Sequence, residues 1–371
     1  MRLRDLLDFS DVTTFDGVGI RFEEIAKQII HGHILVVATG ATHLEFEVLE
    51  LEFYLIVPGI HEDPFTHGSN EQAHSGRWYF HRAPRRATDN TADPPPPSTT
   101  AAGGYRGGTR KGLDLTIGGP LTSMTTSRFF TTPPSASSKP IRGGVLLRTI
   151  RRVCDGMVIS GPSLLVDEIL RSNKASSISE LVDKRWGGET SALLSQADSA
   201  GSSTGSTSSY RMYFRPKSST KLETMPQIYT SPRIGLDLSQ VQTTSSLSDY
   251  PSHPRVKFVS LPYRYFIHPA LLTSNGRGHT FLAVYRCYLS RLELSDPVQR
   301  LDSNIVEEIA KTAGLKEETV QKYAAEYYTG YTDGKLGSYI GKAGKGAASS
   351  PVGFLRLMGV LRRIKECPPH A

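Results

Sequence analysis

The chain has 371 residues, which is enough for a large core and more than one domain. Its net charge of +7 is a mild basic excess that is compatible with a polyanionic partner. There is no run of about eighteen apolar residues and no apolar signal core near the start, so we expect a protein that is neither membrane-spanning nor secreted. Cys154, Cys287 and Cys367 are scattered, which favours a reducing compartment without disulfides or a thiolate metal site.

The first elements read as a helix followed by a strand pair. Apolar residues recur at helical spacing over residues 21–30, and an apolar strand follows at 34–38. The turn at 40–42 leads into a second strand, so we expect the two strands to be antiparallel neighbours.

The second strand, residues 46–55, carries the most informative pattern in the chain. Its alternation places Leu49, Leu51, Phe53 and Leu55 on one face and Glu50, Glu52 and Tyr54 on the other. Carboxylates are depleted in strands unless the site uses them. Two interpretations stay open from the residues alone: solvated glutamates on a half-exposed strand, or a catalytic face. His67 follows in a loop and adds an acid–base group.

The middle of the chain alternates between strands and low-complexity segments. An aromatic, basic strand is predicted at 76–82. A further strand is predicted at 113–117, with a flexible basic tip at 105–112 between the two strands. We expect insertions of low complexity at about 83–104, 119–141 and 186–222, the last being mostly linker.

Further elements are predicted on both sides of the third insertion. Residues 143–150 read as a buried strand interrupted by Arg148, whose natural partner is Glu50 or Glu52. Pro162 opens a helix. Three further strands are predicted, at residues 256–259, 263–267 and 281–288.

Residues 297–371 read as a helical extension. Residues 304–324 have helix-turn-helix spacing, but the second helix is rich in glutamate and is a poor face for phosphates. Residues 354–365 form a basic amphipathic helix, for which packing on the domain is favoured over membrane binding.

An ordered set of motifs resembles the alkyladenine (methylpurine) DNA glycosylase family. The family's Glu-x-Glu-Ala-Tyr strand is similar to residues 50–54, and its acidic stretch ending in a histidine is similar to 63–67. Its Val-Leu-Leu-Arg strand, Gly-Pro-Ser helix start and Pro-Arg-Ile/Val-Gly segment are similar to 145–148, 161–163 and 232–235. The resemblance covers about residues 14–290 and lies in the order of these motifs.

The resemblance implies a fold and a set of roles. It implies an α+β fold: one mixed domain, residues 1–296, around a curved, mainly antiparallel sheet with a DNA-binding hairpin. Base flipping would bring a damaged purine to Glu52, the general base, with Arg148 beside the catalytic strand. The other carried-over positions are the base-pocket residues Tyr54, His67 and His81, and the DNA-contacting residues Tyr105, Arg106, Arg110 and Lys111.

The chain departs from the family pattern at several positions. The family's screening asparagine is absent, with Leu115, Thr116 or Gly118 in its place, and the motif lysine is Leu164. We expect a nuclear or otherwise intracellular monomer that binds double-stranded DNA and initiates base-excision repair without metal or cofactor. The alternatives are a catalytically lapsed protein that binds DNA or another partner, and a hydrolase of free nucleosides or nucleotides.

Overall fold

The computed structural model describes residues 2–40, 42–82, 111–119, 140–193, 210–217, 225–241, 252–272, 275–292, 300–347 and 349–367. Its helices are α1 (Leu3–Leu6), α2 (Phe15–Gly32), α3 (Pro162–Ser172), α4 (Pro254–Val259), α5 (Arg277–Arg291), α6 (Ser303–Ala313), α7 (Glu317–Asp333) and α8 (Pro351–Glu366). Its strands are β1 (His33–Thr39), β2 (Thr42–Val57), β3 (His61–Glu62), β4 (Trp78–Arg82), β5 (Lys111–Gly118), β6 (Arg142–Arg152), β7 (Val158–Ser160), β8 (Tyr210–Pro216), β9 (Tyr229–Ser231) and β10 (Arg264–Phe266). The predicted α+β class is confirmed.

The chain divides into two compact units, and the boundary passes through α2 and β2. Unit 1 comprises Met1–Val12, His31–Val48 and Gly68–Ser219, and unit 2 comprises Thr13–Ile30, Leu49–His67 and Thr220–Ala371. Residues 297–371 therefore group with earlier segments of the chain in unit 2.

Unit 1 is built on antiparallel strand pairs. The strand order is β4-β5-β6-β2-β1-β8, with β7 alongside β6. The predicted β1–β2 pair is confirmed, with Leu35 opposite Phe46. Helix α3 packs against β5 and β6. Leu165 and Ile169, four positions apart on one face of this helix, are fully buried.

Unit 2 combines short strands with a helical core. Strands β10 and β3 pair antiparallel with the second half of β2, and β9 pairs with β10. Helices α5 to α8 share one apolar core, which includes Phe281, Tyr327 and Leu357. The predicted helix pair at 304–324 corresponds to α6 and α7. Gly314 ends α6 at φ 65°, a left-handed conformation that favours glycine.

Three predicted elements are wrong in type. Residues 256–259 and 281–288 lie in helices α4 and α5 rather than in strands. The α5 run is apolar and aromatic on nearly every side because it is buried, and such a run carries no period that distinguishes helix from strand. Residues 210–216, predicted as part of a linker, form β8 against β1.

Part of the prediction of a flexible basic tip at 105–112 is wrong. Lys111 and Gly112 belong to strand β5, which pairs with β4. Tyr105, Arg106 and Arg110 lie outside the described residues, as do residues 83–104 and most of the other predicted insertions.

Candidate active site

The second half of β2 is buried on both faces. Glu50 is 3% exposed and Glu52 is fully buried, so the interpretation of this segment as solvated glutamates on a half-exposed strand is wrong. The apolar face packs in unit 2 as the alternation predicted, with Phe53 stacked on Phe22 at 4.3 Å between ring centroids. The carboxylates occupy the opposite face. Burying a carboxylate is costly, so each one requires specific partners.

Glu52 accepts hydrogen bonds from neutral donors. The Tyr54 hydroxyl donates to Oε2 at 2.9 Å, and the backbone amide of Ile234 donates to Oε1 at 2.7 Å. Both donors fix the orientation of the carboxylate.

The loop that supplies the Ile234 amide is held by a buried ion pair. Arg233 and Asp63 are both fully buried, and the guanidinium donates to both carboxylate oxygens, at 2.5 and 3.1 Å. Arg233 also donates to the Phe53 carbonyl at 3.0 Å, and its guanidinium lies 4.5 Å above the Tyr54 ring. Burial by itself lowers the pKa of Arg233, but the Asp63 carboxylate more than offsets this, and the net shift is upward. Arg233 therefore stays charged and ties the 232–235 loop to β2.

Glu50 makes a second buried ion pair, with Arg264 of the adjacent strand. The Arg264 Nε donates to Glu50 Oε1 at 2.6 Å, and the same guanidinium donates to Ser231 and Thr280. Arg264 is fully buried and lies 4.1 Å from the Phe266 ring centroid. Glu50 therefore has a structural partner in the core of unit 2. The sequence suggested that Arg148 pairs with Glu50 or Glu52, and this pairing stays a prediction.

His61, just after β2, is a buried histidine in an aromatic cage. Its Nδ1 lies 2.9 Å from the Leu55 carbonyl, and its Nε2 lies 2.8 Å from the Tyr263 hydroxyl. A carbonyl only accepts, so Nδ1 carries the proton and Nε2 accepts from the tyrosine. Burial lowers the pKa of His61 to about 4. His61 is therefore neutral at physiological pH, and its hydrogen bond to the Leu55 carbonyl ties it to the end of β2.

The base-pocket residues predicted in unit 2 differ in exposure. Tyr54 is half-buried, with its hydroxyl on Glu52. His67 is exposed, at the end of the Asp63–His67 loop. Tyr54 and Glu52 are thus brought together, as the alternation predicted. The role of His67 stays a prediction.

Two residues assigned to the site by the resemblance, His81 and Arg148, lie on one face of the sheet in unit 1. Tyr79 is opposite Asp114, which is in turn opposite Leu146. Residues two apart on a strand share a face, so His81 and Arg148 belong to this face as well. Arg148 is 7% exposed. We call Tyr79, His81, Asp114 and Arg148 the polar face of unit 1.

His81 and Asp114 form an ion pair on this polar face. The His81 Nδ1 lies 3.2 Å from Asp114 Oδ2. Burial by itself lowers the pKa of His81, but the charge of Asp114 and the hydrogen bond to it outweigh burial, so the net shift is upward. Leu115, one of the three residues expected in place of the family's screening asparagine, lies opposite Trp78 in the sheet and is buried. Asp114 is the polar residue of β5 beside His81.

Lys111 is the one predicted DNA-contacting residue within the described part of the chain. Its ammonium lies 2.5 Å from the Asp167 carboxylate, and its backbone amide donates to the Ser163 hydroxyl. Lys111 therefore anchors the start of β5 to α3, and a role in DNA contact stays a prediction.

Sequence reasoning missed Arg264, the Arg233–Asp63 pair and Asp114 as site residues. Each depends on a partner far away in the sequence, 214 positions in the case of Glu50 and Arg264. The available signal was a charged residue inside an otherwise apolar strand, as in residues 113–117 and 263–267.

Comparison with known proteins yields a relative without an assigned activity. The chain is 28% identical over 246 residues to the uncharacterized protein L759 of Acanthamoeba polyphaga mimivirus, covering 66% of this chain and 85% of that protein. No family model matches the chain. Within the described residues, no helix is long and apolar enough to cross a membrane, and no group of three or more acidic, histidine or cysteine side chains is arranged to hold a metal ion.

Proposed function

We propose that this protein is a monofunctional DNA glycosylase that hydrolyses the N-glycosidic bond of damaged purines and initiates base-excision repair. Glu52 is the general base: it takes a proton from the water whose oxygen adds to C1′ as the bond to the base breaks. The nucleus is the compartment in which we expect it to act on double-stranded DNA.

The observation that carries the proposal is the setting of Glu52. It is fully buried and accepts hydrogen bonds from the Tyr54 hydroxyl and the Ile234 amide, and the nearby Glu50 and Asp63 form ion pairs with Arg264 and Arg233. A general base must be charged, oriented and able to accept a proton. The Tyr54 and Ile234 donors meet the second condition, because they orient the carboxylate.

The ordered motifs add support from the sequence. The Glu52–Tyr54 strand and the 232–235 loop are separate parts of the resemblance, and the Ile234–Glu52 hydrogen bond joins them in unit 2. Arg148 and His81 are assigned to the reaction by the resemblance alone. Their contribution is a prediction to be tested by substitution.

The test is excision from defined duplexes. Purified protein is incubated with duplexes that carry 1,N6-ethenoadenine, hypoxanthine or 3-methyladenine, and abasic sites are scored. We expect cleavage of at least one lesion without added metal. Binding of the lesion duplexes without cleavage of any of the three lesions would favour the alternative of a catalytically lapsed protein that binds DNA.

The salt dependence of binding distinguishes a hydrolase of free nucleosides or nucleotides from a DNA glycosylase. A duplex-binding enzyme neutralises phosphates, so its affinity falls steeply with salt concentration. A hydrolase of free nucleosides or nucleotides lacks this groove contact and would cleave the free substrate with a weak salt dependence. Cleavage of the free nucleosides with no activity on duplexes would replace the glycosylase proposal.

A further inference from the structure

Unit 2 contains a cavity of about 460 Å³, which lies between α5, α8 and the segment that follows α4. Its volume is within the range of about 300–1,000 Å³ that is typical of small-ligand pockets. Three almost completely buried side chains of the helical core form what we call the apolar floor: Leu289, Met358 and Leu361. Three cationic side chains form what we call the basic rim: Arg286, Arg362 and Lys365.

The side chains that line the cavity carry an excess of positive charge. Glu366 is the one acidic residue among them, and it is paired with Arg362 at 2.6 Å. Burial by itself raises the pKa of Glu366, but hydrogen bonds from Arg362 and Tyr331, together with the charges of nearby arginines, outweigh burial, so the net shift is downward. Glu366 therefore stays ionised. Three cations against one carboxylate leave the lining with a net charge of +2.

Two cations of the basic rim, Arg286 and Lys365, form no ion pair with a carboxylate among the described residues. Arg286 donates to the hydroxyl of Tyr327 at 3.4 Å, which is a neutral acceptor. The C-terminus of a helix favours cations, which is sufficient to explain Lys365 in the last turn of α8. Arg286 is half-buried more than one turn before the end of α5, where this effect has faded. Its position favours a ligand that supplies negative charge.

We propose that this cavity binds a phosphate monoester that carries an apolar group. A monoester has a charge of about −1.5 to −2 at neutral pH, which matches the net charge of the lining, whereas a phosphate of the nucleic-acid backbone carries about one charge. Arginine donates paired hydrogen bonds to phosphate oxygens, and lysine adds a point charge. The hydroxyls of Ser260 and Ser290 add donors at the cavity wall, and the apolar floor receives the apolar group. Glu52 does not line this cavity, so the ligand does not depend on the proposed glycosylase activity.

Isothermal titration calorimetry of the full chain with phenyl phosphate tests the proposal, at about pH 7.5, where a monoester is mostly dianionic. Phenyl phosphate supplies the phosphate and a small apolar ring, and inorganic phosphate supplies only the charge. We expect saturable binding of phenyl phosphate that is roughly tenfold tighter than that of inorganic phosphate, because the ring is buried on the apolar floor. The absence of phenyl phosphate binding, or equal affinity for the two probes, would overturn the proposal.

Substitutions in the basic rim locate the binding site. Lys365→Gln removes an exposed charge without breaking an ion pair, and Arg286→Gln removes the half-buried one. We expect each variant to bind phenyl phosphate roughly tenfold more weakly and to keep a cooperative thermal transition. Lys311→Gln is the matched control, since it makes the same change at an exposed lysine of α6 that does not line the cavity. Wild-type affinity in Lys365→Gln, which decides if Arg286→Gln unfolds, or an equal loss in Lys311→Gln would contradict this site.

A terminal phosphate of a nucleic acid has the same chemistry as a small monoester, and competition distinguishes the two sources. A DNA duplex with a 5′-phosphate, or the same duplex with a 5′-hydroxyl, is added to the complex with phenyl phosphate. Displacement by the phosphorylated duplex alone would assign the ligand to nucleic-acid ends, and displacement by neither duplex would assign it to a free small molecule. Equal displacement by both duplexes would show that the cavity binds the phosphodiester backbone, which would overturn the proposal of a monoester.

Discussion

The backbone amide of Ile234 donates a 2.7 Å hydrogen bond to the Glu52 carboxylate across 182 positions of sequence. This contact depends on Arg233, the preceding residue, whose fully buried guanidinium is fixed by Asp63 and the Phe53 carbonyl. The orientation of the proposed general base is thus set by a loop that a buried ion pair holds in place.

Arg233→Lys tests this dependence, since it keeps the charge and removes the planar fork. Lysine cannot contact both Asp63 oxygens and the Phe53 carbonyl in the same geometry. Hydrogen bonds to charged groups contribute about 1.5–3 kcal/mol each, so we expect a loss of about 2 kcal/mol in unfolding free energy and a drop in excision rate. Urea denaturation and single-turnover kinetics measure the two effects. Wild-type values for both would show that the loop does not need this arginine.

Glu50→Gln should act on stability, since it leaves the buried Arg264 without its counter-charge. Breaking a buried pair on one side costs about 3–5 kcal/mol, and replacing both partners by apolar groups is far better tolerated. We therefore expect Glu50→Gln to lower the denaturation midpoint strongly and Glu50→Leu combined with Arg264→Met to recover part of the loss. Glu45→Gln is the control because its partner Arg215 is half exposed, and such pairs contribute less than about 1 kcal/mol. Equal effects at positions 45 and 50 would contradict the buried-pair assignment.

His61 should make stability depend on pH below neutrality. Its pKa is about 4 in the folded chain, against 6.5 as the ordinary value, so the unfolded chain binds a proton in this interval and the folded chain does not. Its contribution is fully present above pH 6.5 and is lost as the pH falls towards 4, by roughly 3 kcal/mol. Unfolding free energies of wild type and His61→Gln across this range would reveal the difference. Parallel pH profiles would show that His61 is not buried in its neutral form.

Tyr54→Phe removes the hydroxyl that donates to Glu52 and leaves the ring beneath Arg233. The loss of one hydrogen bond to a charged group corresponds to about 1.5–3 kcal/mol, or roughly 10- to 100-fold in rate if the bond positions the base. We expect that loss in single-turnover excision, with lesion affinity close to wild type because the ring is kept. A variant that excises at the wild-type rate would show that the Tyr54 hydroxyl does not orient Glu52.

Local patterns predicted much of the fold, and long-range pairing explains what they missed. The alternation of β2, the β1–β2 turn and the Pro162 helix start are encoded within a few residues, and the structure contains all of them. Helix α5 was mistaken for a strand because burial on most of its surface removes the apolar period. The partners that the structure gives Glu50 and Asp63 were not predicted, because a local pattern does not identify a partner more than 150 residues away.

The most direct test of the central claim is single-turnover excision by Glu52→Gln, which keeps size and hydrogen bonding but cannot take a proton from water. Glu62→Gln is the matched control, as it makes the same change at an exposed glutamate of unit 2. Removing a general base lowers rates by about 10²–10⁴-fold. We predict a loss of that size in Glu52→Gln, with lesion-duplex affinity within a few-fold of wild type, and an unchanged rate in Glu62→Gln. Excision that survives in Glu52→Gln would contradict the assignment of Glu52 as the general base.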